Sequence, residues 1–412
     1  MVYDMIIVGG GAAGLSAAYT ASKQDAAMRI LVIEKESVCG RKLSASGNGK
    51  GNITNAAFGK EWYHSDHPEK IAEWVMMHSY QEVLEFFNQL GVITYQKNGY
   101  YYPFSNQARQ VTNLLYDKCR ENGVTFQLQT EIAAIHRKRI QSVTGYELTD
   151  TKGARYECTH LLMCTGGAAS PKLGGSRSGY QLVQKLGHTV CPVHSVLRPI
   201  YVEDSLLKYA KGVRMDGTVT LHEPDGVIAQ ETGQIQWNED NLSGIVMMNL
   251  SCYLPYAIQK IELHIDLLPD WNWNKLKEYI QMQAADNPEQ SIYNLLLGIF
   301  PAGMVRYLLK RLRIEEDTMC RVVTDKQVNR LTSHIKKLTF QPIWKEDYDK
   351  AQVTAGGVSL AEVNLRTMES VKNPNLYLTG ELLDVNGCCG GYNLTFAILS
   401  GMQAAHSITG KE

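Results

Sequence analysis

The sequence lacks an excess of charge of either sign. Its 412 residues include 41 lysines and arginines against 42 aspartates and glutamates, which gives a formal net charge of −1. Proteins that bind nucleic acid or an anionic membrane surface concentrate basic residues. The balance therefore predicts no nucleic-acid partner and no membrane partner.

Long apolar runs are also missing. No run reaches the ~18 residues that a membrane-spanning helix needs. Residues 243–258, SGIVMMNLSCYLPYAI, come nearest, but their serines, asparagine and proline favour a packed strand and a turn. The N-terminus has no basic region before its first apolar run, and glycines interrupt that run early, so we expect no signal peptide.

The nine cysteines form no C-x-x-C pair, and their number is odd. This pattern favours reduced thiols in a cytoplasmic protein and argues against a disulfide framework or a metal site. The sequence also has no H-E-x-x-H, Ser-His-Asp or paired-carboxylate motif to suggest hydrolytic chemistry. Without a hydrolytic motif, the sequence favours chemistry that depends on a bound cofactor.

A glycine-rich turn stands near the N-terminus, in VGGGAAGLSAA from Val8. Gly9, Gly11 and Gly14 have the spacing of a dinucleotide-binding turn, with Ala12 and Ala13 opening the helix that follows. The apolar run before the turn suits a buried parallel strand. Strand, glycines and helix together predict that backbone here approaches a pyrophosphate.

The next apolar run, RILVIEK, ends in Glu34 and Lys35. An acidic side chain at the tip of the second strand is placed to accept hydrogen bonds from a ribose diol, and it would repel a phosphate on that ribose. The opening unit therefore predicts NAD or FAD as the ligand.

A second glycine-rich turn near the C-terminus favours FAD, which is the longer ligand. TGELLD supplies Glu381 and Asp384, whose carboxylates are suited to ribitol hydroxyls. GGYNL then opens the last helix, and a helix N-terminus stabilises the negative charge that a reduced flavin carries. We expect noncovalent FAD.

The predicted architecture is α/β, with a discontinuous Rossmann-like FAD-binding domain at 1–190 and 341–412. Residues 191–340 form an inserted β-rich domain with a helical lobe at about 272–315. Within the insert, 218–237 alternates like antiparallel strands, with predicted turns at Pro224–Gly226 and at Thr232-Gly233.

Three long segments carry a family resemblance: GRKLSASGNGKGNITN from Gly40, VTAGGVSLAEVNLRTMESVKNPNLYLTGELLDVNG from Val353, and GGYNLTFAILSGMQAAH from Gly390. They resemble the BaiN/YhiN-like FAD-dependent oxidoreductases, which include aminoacetone oxidase-like and bile-acid enone reductase-like proteins. The resemblance implies that a β-barrel-like domain with a helical lobe interrupts the FAD domain.

The resemblance also implies a set of cofactor-binding residues. At the adenosine and pyrophosphate end these are Gly9, Gly11, Ala12, Ala13, Gly14, Glu34, Lys35, Ile132, Thr165 and Gly166, with Arg41 and Lys42 near the phosphates or ribitol. On the flavin side they are Ser46, Gly47, Asn48, Asn52, Gly380, Glu381, Asp384, Gly391, Tyr392, Asn393 and Leu394.

Two departures from the family pattern limit the transfer of roles. Lys50-Gly51-Asn52 stands where members commonly have Arg-Cys-Asn, so no thiol role transfers to that position. Cys388-Cys389 stands where smaller residues are common. Two reduced thiols in a reducing cytosol are the favoured interpretation, and a strained redox pair is the alternative.

Three functional classes follow, in order of preference. The first is a reductase that uses NAD(P)H and delivers hydride from flavin N5 to an enone-like small molecule. The second is an oxidase of a small, aminoacetone-like amine, and the third is a non-catalytic flavin-binding sensor. The sequence identifies no catalytic residue, and Lys42, Lys50 and Asn52 are the candidates. No second dinucleotide-binding unit is present, so a nicotinamide would visit transiently.

Overall fold

The computed structural model describes residues 1–140, 142–257 and 260–410. The chain divides into two compact units, Met1–Val196 with Tyr348–Glu412 and Leu197–Asp347. Each division falls a few residues after the corresponding predicted domain boundary, at 190 and at 340. The assignment of these units as an FAD domain and an inserted domain stays a prediction.

The first unit begins with eleven strands and six helices among the described residues. The strands are β1 (Val2–Val8), β2 (Ile30–Ile33), β3 (Thr54–Asn55), β4 (Tyr63–His64), β5 (Thr94–Lys97), β6 (Tyr100–Pro103), β7 (Thr125–Gln127), β8 (Ile132–Ile140), β9 (Val143–Asp150), β10 (Arg155–Met163) and β11 (Val190–Val196). The helices are α1 (Ala12–Gln24), α2 (Arg41–Ala45), α3 (Pro68–Met77), α4 (Tyr80–Gln89), α5 (Ala108–Glu121) and α6 (Ser178–Lys185).

The second unit and the return to the first complete the chain. The second unit contains β12 (Ile200–Val202), β13 (Arg214–Glu223), β14 (Gly226–Trp237), β15 (Asn241–Ser243), α7 (Ile245–Ser251), β16 (Glu262–Asp266), α8 (Trp273–Asp286), α9 (Ile292–Leu296), α10 (Ala302–Leu312), α11 (Asp325–Lys336), β17 (Leu338–Phe340) and β18 (Pro342–Ile343). The returning segment contains β19 (Val353–Val358), β20 (Val363–Asn364), β21 (Glu369–Ser370), β22 (Leu376–Leu378), β23 (Asn386–Gly387) and α12 (Tyr392–Thr409).

A parallel sheet forms the centre of the first unit, with strand order β22-β10-β1-β2-β7. The apolar runs of β1 and β2 supply its core, since Ile6 and Val32 are fully buried and β2 is buried along its whole length. Burial on both faces is the reason that these strands show no polar alternation. The predicted Rossmann-like α/β fold is confirmed.

The first and last helices of the chain pack directly against each other. The Ser16 hydroxyl donates to the Ile398 carbonyl across 3.2 Å. At Gly401 an added Cβ would lie 2.3 Å from the Ala13 carbonyl oxygen, so a larger residue there would force α12 away from α1. This close packing brings the C-terminal segment back to the opening turn.

The sheet of the second unit is antiparallel, in the order β17-β16-β13-β14-β15-β12-β18. This order is an open path from one edge strand to the other, so a barrel is not confirmed. Helices α8, α9 and α10 lie within the predicted helical lobe, and α11 follows it. In the described part of the chain no helix is both long and apolar enough to cross a bilayer.

Two local predictions in the second unit are wrong. Thr232-Gly233 is not a turn, because both residues lie inside β14 and pair with Thr218 and Gly217 of β13. The Thr218 and Thr232 hydroxyls are 2.8 Å apart, and this long cross-strand ladder outweighs the local turn signal.

The segment 245–251 is a helix, α7, where a strand was predicted. Val246, Met247 and Leu250 are buried and share one helical face. The serine and asparagine that suggested a strand do not disturb this apolar face. Gly244, which has φ +102°, is the N-cap residue of the helix. A short apolar run does not distinguish strand from buried helix by its pattern alone.

Candidate cofactor site

The three glycines of the opening turn meet different surroundings. A Cβ on Gly9 would lie 2.3 Å from the Cys164 carbonyl oxygen, and one on Gly14 would lie 2.0 Å from the Gly9 carbonyl oxygen. Gly11 differs, because a Cβ there would meet no atom within 4 Å. The fold therefore requires the first and third glycines, and the second borders open space.

That open space belongs to a cleft of about 790 Å³, measured with its open mouth. Nine of the predicted residues line it, namely Gly9, Gly11, Glu34, Lys35, Arg41, Lys42, Ile132, Thr165 and Gly166. The cleft lies where β1, β2 and β10 end, which is where parallel α/β sheets bind ligands. The first half of the predicted site is thus brought together in one place.

Glu34 is held in this cleft by backbone donors. Its Oε2 accepts a hydrogen bond from the Gly10 amide at 2.7 Å, and its Oε1 accepts one from the Glu36 amide at 2.9 Å. An ionised carboxylate has about four acceptor positions, so two of them are left for hydroxyl donors. The arrangement fixes the carboxylate in a position suited to a ribose diol.

Backbone hydrogen bonds join the segment before β8 to the residues that follow β2, where Glu34 lies. The Thr130 amide donates to the Glu34 carbonyl at 3.0 Å, and the Gln129 amide donates to the Glu36 carbonyl at 3.1 Å. These bonds bring Ile132 into the lining, where only 5% of its surface is exposed. The backbone of this segment and the apolar Ile132 side chain therefore lie beside Glu34. An adenine ring can use both, the backbone for hydrogen bonds and the side chain for apolar contact.

Arg41 and Lys42 form ion pairs in the first unit. Arg41 pairs with Glu36, and it also donates to the Lys172 carbonyl at 2.6 Å. Lys42 pairs with Glu381 at 2.6 Å. The second pair connects the cleft to the C-terminal segment that was predicted to hold the flavin side of the ligand.

The other predicted residues lie outside the lining of the cleft. They are Ala12, Ala13, Gly14, Ser46, Gly47, Asn48, Lys50, Asn52, Gly380, Glu381, Asp384, Gly391, Tyr392, Asn393 and Leu394. Their roles toward the flavin stay predictions. The contacts that the structure gives them fall into three groups.

The loop of residues 46–52 has an unusual backbone. Gly47, Asn48 and Gly49 have φ values of +56°, +55° and +83°, a run that is strained for residues with side chains. Lys50 is exposed, whereas Asn52 Oδ1 is buried without a hydrogen-bond partner among the described residues. A strained loop with an unsatisfied acceptor is typical of a ligand-binding segment.

The start of α12 is fixed by contacts within the protein. Gly391 has φ +91°, and a Cβ there would lie 2.9 Å from the Thr54 backbone. Asn393 uses both ends of its amide on the Gly387 backbone, at 2.8 and 2.7 Å. Tyr392 is buried and stacks on Trp62 with ring centroids 5.3 Å apart. These side chains position the helix N-terminus, where the first amides of a helix have no acceptor within the helix.

Both carboxylates of TGELLD accept hydrogen bonds from protein donors. Glu381 Oε1 accepts from the Thr354 amide at 2.9 Å, in addition to its ion pair. Asp384 is fully buried, and its Oδ2 accepts from Ser65 Oγ at 3.1 Å and from the Asp66 amide at 2.9 Å. Burial and the nearby Asp66 charge raise the pKa of Asp384 to about 6, although hydrogen bonds oppose the shift.

Sequence reasoning missed one wall of the cleft. This wall is formed by residues of the segment after β10, namely Gly167, Leu173, Gly174, Gly175, Ser176 and Ser178, with Glu36, Gly40 and Cys164 nearby. The signal was present in TGGAASPKLGGSRSG, which starts at Thr165. A Cβ on Gly175 would lie 2.0 Å from the Ala169 carbonyl oxygen, so this segment folds tightly on itself.

The residues present fit an FAD group. Gly11 leaves open space beside the N-terminus of α1, where a pyrophosphate gains from backbone amides and the helix dipole. Thr165 lines the cleft, and its Oγ1 is buried without a partner among the described residues. Glu34 and the Ile132 segment supply what an adenosine needs.

Comparison with known protein families matches residues 3–407 to the family described as "HI0933-like protein Rossmann domain". The chain belongs to this family. The HI0933-like chain is 33% identical over 404 residues to a 3-dehydro-bile acid delta(4,6)-reductase of Clostridium scindens, covering 97% of this chain and 98% of that protein. It is 30% identical to a ribosomal RNA dihydrouridine synthase of Escherichia coli, covering 98% of each.

Solved structures agree on the fold. A 3-ketosteroid-delta4-(5alpha)-dehydrogenase of Rhodococcus jostii matches with a TM-score of 0.50 at 14% identity, covering 99% of this chain and 96% of that one. The FrdA subunit of E. coli quinol fumarate reductase matches with a TM-score of 0.50 at 14% identity, covering 100% and 70%. The HI0933-like protein is an FAD-dependent oxidoreductase of the BaiN/YhiN type.

The different surroundings of the glycines predict different defects. Gly11→Ala should leave the melting temperature of the apoprotein near that of wild type, because the new Cβ meets nothing and Gly11 has an ordinary φ of −80°. It should reduce FAD affinity at least tenfold by occupying space needed by the pyrophosphate. Gly14→Ala should lower the melting temperature itself. Thermal melts and FAD titrations of both variants check this, and an apoprotein equally destabilised by Gly11→Ala would contradict it.

Glu34→Gln should weaken FAD binding. A charge-assisted hydrogen bond contributes about 1.5–3 kcal/mol, which corresponds to tenfold or more in affinity. The measurement is a calorimetric titration of apoprotein with FAD. Glu85→Gln, an exposed change on α4, is the control for losing one negative charge. Equal affinity of Glu34→Gln and wild type would refute the ribose assignment.

Proposed function

We propose that this protein reduces a carbon–carbon double bond conjugated with a carbonyl group in a small apolar molecule, with NAD(P)H as electron donor. The observation that carries the proposal is the similarity to the C. scindens reductase over nearly the whole of both chains. It supports the first of the three functional classes.

The two curated relatives share one type of chemistry. A delta(4,6)-reductase of a 3-oxo compound and a synthase of dihydrouridine both saturate a double bond conjugated with a carbonyl. Reduction of such a bond adds a hydride to a carbon that conjugation with the carbonyl makes electrophilic, and a proton to its neighbour. FAD, when bound, supplies that hydride from its N5 position, and the protein supplies position and electrostatics.

The roles of the protein's own residues follow from their contacts. Glu34 and the turn at Gly11 hold the adenosine and pyrophosphate half of the cofactor. The Lys42–Glu381 pair keeps the C-terminal segment against the cleft. The N-terminus of α12 favours negative charge where a reduced flavin develops it. Lys50 is exposed and available to polarise a substrate carbonyl.

Charge favours a small apolar substrate over RNA. The whole chain is nearly neutral, and acidic residues slightly outnumber basic ones in Leu197–Asp347. RNA binding draws most of its affinity from basic contacts to phosphates, which this composition does not concentrate. An apolar enone is therefore the proposed acceptor, and uridine in RNA is the competing one.

Anaerobic absorbance measurements test the proposal. NADH or NADPH should bleach the flavin, and 4-androstene-3,17-dione should restore its colour while the saturated diketone should not. Restoration only by a uridine-containing ribosomal RNA fragment would overturn the substrate class. Bleaching by aminoacetone with recovery in oxygen would instead identify an oxidase, and no bleaching by any donor would favour a sensor.

The absence of a second dinucleotide-binding unit predicts ping-pong kinetics. The nicotinamide would bind, reduce the flavin and leave before the enone enters. Steady-state rates measured with donor and acceptor both varied should give parallel double-reciprocal lines. Intersecting lines, or a stable complex containing both NADPH and enone, would contradict transient donor binding.

A further inference from the structure

Three side chains from distant parts of the first unit meet at one point outside the cofactor cleft. Asp66 precedes α3, Cys191 lies in β11, and Asp384 follows the TGEL segment. One donor atom from each lies within 4.8 Å of the corresponding atoms of the other two. Because 318 residues separate Asp384 from Asp66 along the chain, no sequence spacing reveals this cluster.

The state of Asp384 indicates a ligand for the cluster. Its side chain is fully buried, and its Oδ2 is satisfied by Ser65 and the Asp66 amide. Its Oδ1 is buried and has no partner of hydrogen-bonding geometry among the described residues, although the Cys191 thiol lies close to the carboxylate. An unsatisfied carboxylate oxygen is costly to bury, and a cation is the partner that compensates it best.

Charge in the cluster supports the same conclusion. Within the described residues, neither Asp66 nor Asp384 forms an ion pair with a lysine or arginine. The imidazole of His67, which interacts electrostatically with Asp384, has its Nε2 3.0 Å from the Ser359 hydroxyl and its Nδ1 3.5 Å from Glu69. Two carboxylates and a thiol therefore stand together without a lysine or arginine partner, and these are donor types found at metal sites.

We propose that Asp66, Cys191 and Asp384 bind a zinc ion, so that Asp384 serves the metal and not the ribitol hydroxyls for which the sequence suggested it. Thiolate and carboxylate donors together suit this borderline-soft cation better than calcium or magnesium, which prefer oxygen alone. Three protein ligands leave the fourth tetrahedral position to water. The Ser65 hydroxyl and the Asp66 amide orient the Asp384 carboxylate, as outer-shell donors commonly do for metal ligands.

The ion would join three segments that are far apart in the sequence. It would tie the start of β11 and the segment before β23 to the loop that precedes α3. A ligand that binds only the folded protein raises stability in proportion to the logarithm of its concentration over Kd. Zinc should therefore raise the melting temperature, whether or not the proposed reduction is correct.

The test uses the FAD-loaded protein equilibrated with zinc sulfate and freed of excess by gel filtration. We expect about one zinc per chain by mass spectrometry. X-ray absorption should show one sulfur neighbour at about 2.3 Å and oxygen neighbours at about 2.0–2.2 Å. Zinc should also raise the melting temperature of the wild type.

Cys191→Ser and Asp66→Asn should each lower zinc affinity at least tenfold and remove the thermal shift. Asp66 is exposed, so its variant is expected to fold even where a change at buried Asp384 does not. Cys320→Ser and Asp349→Asn are matched controls that should retain zinc, since neither residue lies in the cluster. A wild type without stoichiometric zinc, or zinc retained equally by all four variants, would overturn the proposal.

Discussion

The close approach of backbone to backbone at the opening turn is the constraint on which the rest of the site depends. Gly9 fits against the carbonyl of Cys164, and Gly14 fits against the carbonyl of Gly9. A side chain at Gly9 would push the turn away from the end of β10, and one at Gly14 would push α1 away from the turn. Because these contacts are so close, the N-terminus of α1 and the open space at Gly11 come to lie at the ends of β1, β2 and β10.

Much of this arrangement could be predicted from the sequence because its causes are local. The glycine spacing, the apolar run before it and the acidic end of β2 lie within one stretch of about forty residues. Each follows a steric or electrostatic rule that acts over short distances. The Rossmann-like fold and a dinucleotide cofactor could be predicted for this reason, and Glu34 lies in the cleft as expected. The choice of FAD and the family depended on longer segments, most of them near the C-terminus.

The features that could not be predicted depend on contacts between residues far apart in the sequence, and no local pattern indicates such contacts. Gly233 resembled a turn residue but lies in a strand, because it and its partner Gly217 belong to a ladder of ten residue pairs. The open sheet of the second unit and helix α7 depend on packing in the same way. The wall formed after β10 was missed because its glycines serve close packing that only the fold defines. The Asp66–Cys191–Asp384 cluster is the clearest example, because its three members come from segments that are far apart in the sequence.

The central claim is that FAD lies with its pyrophosphate beside Gly11 and its adenosine beside Glu34, and extends toward the N-terminus of α12. A crystal structure of the purified, FAD-loaded protein tests this most directly through the difference density for the cofactor. The account predicts ribose hydroxyls within hydrogen-bonding distance of the Glu34 carboxylate and the flavin ring near the start of α12. Cofactor density outside the cleft, or an adenosine distant from Glu34, would contradict it.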